Sequence, residues 1–201
     1  MRYLTIAEAY RDLERVSSRL VLTERLAELL VQTPAGLLPT VCYLCQGLIA
    51  PEFAGVDLGL AEKLAIRAVA TAAGADAAQV AVLVRETGDL GQAAEQLLTR
   101  PDAGDGGQVA SLEVTDVVRT LREIAAAEGT GSQGRKLELL AGLLAQATPL
   151  EARYLAPPGR RRRTRRRTWS RRGTHRHPRR RRPAAPRRRP RCGARARRTR
   201  L

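Results

Sequence analysis

The chain has 201 residues and a formal net charge of +16, unevenly spread: residues 1–155 carry 14 Lys+Arg against 20 Asp+Glu, and residues 156–201 carry 22 Arg and no acid. The high isoelectric point therefore describes the tail and licenses no nucleic-acid partner for the body. No apolar run of 18 residues occurs, so no membrane span is expected, and Met1-Arg2-Tyr3-Leu4-Thr5 lacks a signal peptide's apolar stretch.

The body is one domain's worth of chain. A domain of about 150 residues buries roughly 68–70% of its unfolded surface, enough for a real core. Its apolar residues are mostly Leu, Ala and Val, and aromatics make up only 3% of the chain, so the core is expected to be aliphatic. Three cysteines without a secretory signal fit a reducing cytoplasm.

Helical periodicity runs through the body. Ile6, Tyr10 and Leu13 predict a helix over 5–17. Leu22, Leu26, Leu29 and Leu30 predict a second, stopping before Pro34. Pro39 suits the first turn of a third, with Val41, Leu44, Cys45 and Leu48 on one side. Asp57-Leu-Gly-Leu-Ala-Glu-Lys63 starts a fourth, carrying Leu60, Leu64 and Ala68. Asp76 is placed to cap a fifth over 77–85; Gly88 stops it, and Asp89 caps a short sixth reaching Thr99. A loop over 100–107, Arg-Pro-Asp-Ala-Gly-Asp-Gly-Gly, divides the helices into two unequal groups. Val114, Val117, Val118, Leu121, Ile124 and Ala125 mark an amphipathic helix ending near Gly129, and Leu137, Leu140 and Leu144 mark another. Thr148-Pro149 with Glu151 is a capping-box start for the last. No alternating β-branched run appears, so the fold class is all-α, a multi-helix body followed by a disordered tail.

Three features invite chemistry. Cys42-Tyr-Leu-Cys45 has redox or zinc spacing, but the remaining candidate ligands, His175, His177 and Cys192, all lie in the tail. Buried packing of both thiols on one helix face is the expectation, and no metal site is assigned. Glu86-Thr-Gly-Asp-Leu-Gly91 lacks the Lys-Ser/Thr of a phosphate loop and follows a helix, so it reads as an Asp-capped joint. Gly129-Thr-Gly-Ser-Gln-Gly-Arg-Lys136 is stronger. Its glycines open a helix whose first-turn N–H groups, flanked by Ser132, Arg135 and Lys136, form a phosphate-binding corner. The chain has only two lysines, Lys63 and Lys136, and one stands here. Val16-Ser-Ser-Arg-Leu20 offers small hydroxyls and an arginine at another helix junction, which alone reads as a polar turn.

Five phrases in order carry a resemblance: Val16-Ser-Ser-Arg-Leu20 through Thr23-Glu-Arg-Leu-Ala-Glu-Leu-Leu30; Asp57-Leu-Gly-Leu-Ala-Glu-Lys63; Glu86-Thr-Gly-Asp-Leu-Gly91; Gly131-Ser-Gln133 with Lys136; and Pro149-Leu-Glu-Ala-Arg-Tyr-Leu155. Over nearly its full length the body resembles the N-terminal DNA-binding domain of ATP-dependent DNA ligases of the archaeal and bacterial type. The resemblance implies an all-helical domain that grips nicked duplex DNA across the minor groove, largely through backbone contacts and without sequence specificity. It implies a role in DNA repair, replication and recombination, in a monomer associated with the cytoplasmic nucleoid. Carried over residue by residue, Ser17 and Arg19 fall at one contact turn, Gly59 at a second, and Gly131, Ser132, Gln133, Arg135 and Lys136 at a third. Family members usually have glycine where this chain has Ala61, which weakens the expectation of close backbone approach at the second turn. The family's adenylated lysine lies in K-x-D-G; Lys63 sits in Glu-Lys-Leu-Ala and Lys136 in Arg-Lys-Leu-Glu. ATP and magnesium are therefore implied for the full-length family, and no cofactor, catalytic residue or ligase activity is expected of this chain alone. The likeness ends after Tyr154-Leu155, as if cut before a catalytic domain.

From Ala156 the composition is dominated by Arg and Pro and has no Asp or Glu. Such a segment cannot bury enough apolar surface to offset its ordering entropy. Arg, Pro, Ala and Gly share GC-rich codons, and a shifted reading frame after Leu155 would yield this mixture; a genuine basic arm for nucleic acid is the alternative. Two rivals to the ligase reading stay open: a stand-alone basic-tailed nucleic-acid-binding protein, and a helical interaction module, which the acidic body favours.

Overall fold

The structure is a computed structural model that describes residues 1–99 and 112–157. The loop expected at 100–107 and the arginine-rich tail from 158 onward lie outside the described residues. Within them the chain forms α1 (Tyr3–Arg15), α2 (Arg19–Gln32), α3 (Leu38–Cys45), α4 (Glu62–Ala73), α5 (Ala77–Thr87), α6 (Leu90–Leu98), α7 (Val114–Ala126), α8 (Ser132–Gln146) and α9 (Pro149–Leu155). Short 3₁₀ turns at Ala35–Leu37 and Glu52–Ala54 complete the described elements, and the one β feature is an isolated bridge between Arg2 and Glu113.

Local caps set most boundaries. Asp76 accepts from the Ala78 N–H while Gln79 reaches back to the Asp76 N–H, a reciprocal capping box. The Asp89 carboxylate accepts from the N–H groups of Gly91 and Gln92 at 2.8 and 3.2 Å. Thr148 and Glu151 form the box expected at α9, with the Glu151 side chain fully buried beneath it. Several boundaries differ from the sequence reading, among them the end of α5, at Thr87 and not Arg85. α1 begins at Tyr3, because the Tyr3 N–H donates to the Leu112 carbonyl and the Val114 N–H to the Met1 carbonyl, which ties the chain start to α7. It ends at Arg15, two residues early. α3 stops at Cys45 with Leu48 beyond its end. α4 starts only at Glu62, leaving Leu60 in the preceding turn.

The core is aliphatic, as expected: Ile6, Val41, Val69, Val80, Leu90, Val114, Val117, Ile124, Leu140 and Leu144 are among the fully buried side chains. The most extensive helix pairings are α4 with α8 and α6 with α9, and α7 adds Val114, Val117, Val118, Leu121 and Ile124 to the core. The cysteines correct an expectation: Cys42 and Cys45 are unpaired and half-buried, not enclosed, although Cys45 does lie against the core. No single helix among the described residues is long and apolar enough to cross a membrane; α4 and α5, apolar as a pair, bend by 113°.

α9 is latched by Arg153. Its guanidinium bonds Glu14 of α1 at 2.8 Å and Glu95 of α6 at 2.7 Å and lies over the Tyr154 ring. Tyr154 meets Tyr10 edge to face at 5.4 Å; burial and the nearby Glu14 carboxylate push its hydroxyl up to about 12. Arg153→Met keeps the stem and leaves two carboxylates facing each other. Because the pair remains partly solvated, we expect a loss of about 1–2 kcal/mol. A urea midpoint at pH 7 equal to that of the unaltered chain would show the latch to be inert.

Candidate nucleic-acid interface

The three turns singled out by sequence fall at helix starts. Ser17 and Arg19 are exposed at the junction of α1 and α2, where Val16 and Ser18 are extended and no side chain caps α2. Arg19 is the first residue of α2, and its carbonyl accepts from the Thr23 hydroxyl at 2.9 Å. This turn stands on a different helix pair from the other two.

The third turn owes its shape to glycine. Gly129 and Gly131 sit at φ +81° and +84°, the left-handed region that other residues avoid. Gly131 is the N-cap of α8 and carries no side chain to occupy the helix's first donors. The Ser132 N–H turns back to the Gly129 carbonyl and the Arg135 N–H to the Gly131 carbonyl, both at 3.2 Å. The N–H groups of Gln133 and Gly134 are the ones a helix start leaves over, aligned with its dipole. Gln133, Gly134 and Arg135 are exposed, and Ser132 is half-buried. Arg135 also lines a groove of about 570 Å³ between α7 and α8, with Arg119, Asp116 and Glu138 on its walls. The mixed charges there single out no ligand.

Lys136 departs from the sequence reading. Its side chain is not presented beside Arg135; the residue is 6% exposed, and its Nζ donates to the Leu58 carbonyl at 2.9 Å. That carbonyl belongs to the second turn. Gly59 follows it at φ +58°, and a β-carbon there would lie 2.8 Å from the Lys136 Nζ. The Gly59 N–H is itself taken by the Asp57 carboxylate at 3.1 Å. Both polar groups of the peptide between Leu58 and Gly59 are therefore satisfied inside the protein. What the turn leaves outward is the bare Gly59 Cα and, beyond Ala61, the first-turn N–H groups of α4 at Glu62 and Lys63. The structure thus brings the second and third turns together. Sequence reasoning missed Asp57 and Leu58 as their fasteners; Asp two residues before Gly is a recognisable Asx-turn signal, whereas a carbonyl acceptor has none.

The two lysines sit in different surroundings. Lys63 is exposed on α4 outside any K-x-D-G, and the Lys136 amine is committed to a backbone carbonyl. No cluster of three or more metal-ligating side chains occurs among the described residues.

Comparison with known proteins gives a consistent family. The DNA ligase N terminus family matches residues 2–157. The chain is 42% identical over 159 residues to DNA ligase 2 of Thermofilum pendens, covering 76% of this chain and 26% of that protein. It is 43% identical over 155 residues to a probable DNA ligase of Aquifex aeolicus, covering 77% and 26%. Over 163 residues it is 40% identical to a DNA ligase of Saccharolobus shibatae, covering 77% and 27%. The chain spans about a quarter of the length of the curated relatives it matches. It belongs to the family of the DNA ligase N terminus.

Proposed function

We propose that the body, residues 1–155, binds duplex DNA without sequence preference, nicked duplex above all, as the N-terminal part of an ATP-dependent DNA ligase serving repair, replication and recombination. The contacts assigned are Ser17 and Arg19 at the first turn, Gly59 at the second, and Gly131, Ser132, Gln133 and Arg135 at the third. The observation that carries this reading is the uncapped α8 start at Gly131, with open N–H groups beside the exposed Arg135 and joined to the turn at Gly59. Backbone N–H groups and an arginine recognise phosphate oxygens and read no base edge, which accounts for the absence of sequence preference. An acidic body can still bind DNA in this way, since only a local patch needs to be basic. Alone, this chain is proposed to hold a nick without sealing it, as a monomer in the cytoplasm.

Arg135→Ala tests the assignment. It should weaken duplex binding evenly across unrelated sequences and make the salt slope shallower by about one. Titrations from about 200 mM salt upward, where the tail no longer dominates, that superimpose on those of the unaltered chain would remove Arg135 from the interface. Uneven weakening would point to base readout instead.

A further inference from the structure

We infer that Lys136 is a positioning residue: its ammonium fastens the turn at Leu58 and Gly59 to the start of α8, so that both turns meet one DNA backbone, and it makes no phosphate contact itself. The inference rests on the DNA-binding reading above and deepens it.

Packing alone does not explain a lysine here. Position 136 is buried in α8 against α4, where a methionine would fill the same length of stem at no cost of charge burial. What lysine adds is a donor that reaches a carbonyl 78 residues away. Gly59 is the matching half of the device, since any side chain at that position would meet the ammonium. Asp57 completes it by holding the other end of the same peptide unit. The second turn thus has its orientation fixed from both sides, and one of the two fasteners comes from the helix that carries the third turn. Each turn alone offers a few weak, solvent-competed donors. Held in a fixed spacing, the two engage a single backbone without first losing their relative freedom.

The test is amide hydrogen exchange on the full chain, with and without a nicked duplex oligonucleotide, together with affinity against salt. In the unaltered chain, DNA should protect the amides around 57–63 and those around 131–135 together. In Lys136→Met, the amides inside α4 and α8 should exchange as before, while DNA protection at 57–63 falls and that at 131–135 persists. Affinity should drop by about tenfold with an unchanged salt slope, because no phosphate-bound cation is lost. The comparison is made from about 200 mM salt upward, where the tail's contribution has faded and the body's contacts are visible; the tail is the same in both proteins, so the difference in slope isolates Lys136. A slope shallower by about one would make Lys136 a direct phosphate ligand and overturn the inference, as would unchanged affinity and protection. Absence of DNA protection at both turns in the unaltered chain would overturn the DNA-binding reading and this inference with it. Should Lys136→Met fail to fold, Lys136→Leu removes the same donor with a shorter apolar side chain. It should show the same selective loss at 57–63, and retention of that protection would count against the inference.

Discussion

Gly91→Ala is expected to destabilise the domain by about 3 kcal/mol or more, at the upper end of what overpacking costs. Gly91 is buried in the first turn of α6, where that helix crosses α9. A β-carbon there would overlap the Arg153 carbonyl oxygen and also crowd the Asp89 carboxylate that caps α6. The obstacle is backbone, held in place by the Thr148–Glu151 capping box on one side and the Arg153 latch on the other, so no rotamer change relieves it. Relief requires α9 to move off α6, opening a contact that buries Leu90, Ala94, Ala152 and Leu155. Thermal unfolding should fall by roughly 6–12 °C, taking about 2–4 °C per kcal/mol for a domain of this size. Gly142→Ala is the control. That glycine is exposed in the middle of α8 with open space around it, so the same methyl group should be neutral or stabilise by up to about 1 kcal/mol. Equal melting temperatures for Gly91→Ala and the unaltered chain would mean that α6 and α9 are not packed as described.

The contrast between these two glycines shows what is legible in the sequence and what is not. Periodicity and caps are local, so the helical fold class and the starts at Asp76, Asp89 and Thr148 could be read directly. Boundaries set by distant partners could not. α1 reaches back to Tyr3 because of a carbonyl on Leu112, and no pattern near Tyr3 encodes that. Gly91 looked like part of an Asp-capped joint, and its close approach to Arg153 depends on a helix that begins 58 residues later at Pro149. Asp57-Leu-Gly-Leu read as the start of α4, whereas Gly59 at positive φ holds those residues in a turn and delays the helix to Glu62.

At the candidate interface the same division holds. A glycine-rich helix start with a following arginine is a local pattern, and Gly131 does stand as the N-cap of α8. The direction of the Lys136 side chain is not local. On an isolated helix, Arg135 and Lys136 are adjacent cations, and both would be placed near phosphate. Only the packing of α8 on α4 turns one inward to Leu58 and leaves the other outside. A lysine's chemistry on the page of a sequence is a charge, while its chemistry in this fold is a hydrogen bond.

Between 50 and 200 mM salt, the affinity of the whole chain for duplex DNA is expected to fall about ten-thousandfold, which corresponds to roughly eight of its tail arginines engaging phosphates at a slope near −7. The reasoning needs only the charge partition: 22 Arg and no acid in 156–201, against an acidic excess of six in 1–155. Counterion release depends on how many phosphates are neutralised and not on any folded geometry, so the tail should dominate at low salt whatever the body contributes. The body's contacts, few and dependent on shape, carry a much shallower slope and become visible only as salt rises. A chain ending at residue 157 should therefore lose most of its low-salt affinity yet keep its helical signal and its melting temperature. It should also prefer duplex to single strand, while a peptide of residues 158–201 shows little such preference. A slope no steeper than about −3 for the whole chain would mean that the arginines do not engage DNA. If removing the tail melted the body cooperatively, the tail would be part of the domain's stability, and its reading as an adventitious frame-shifted addition would have to be abandoned.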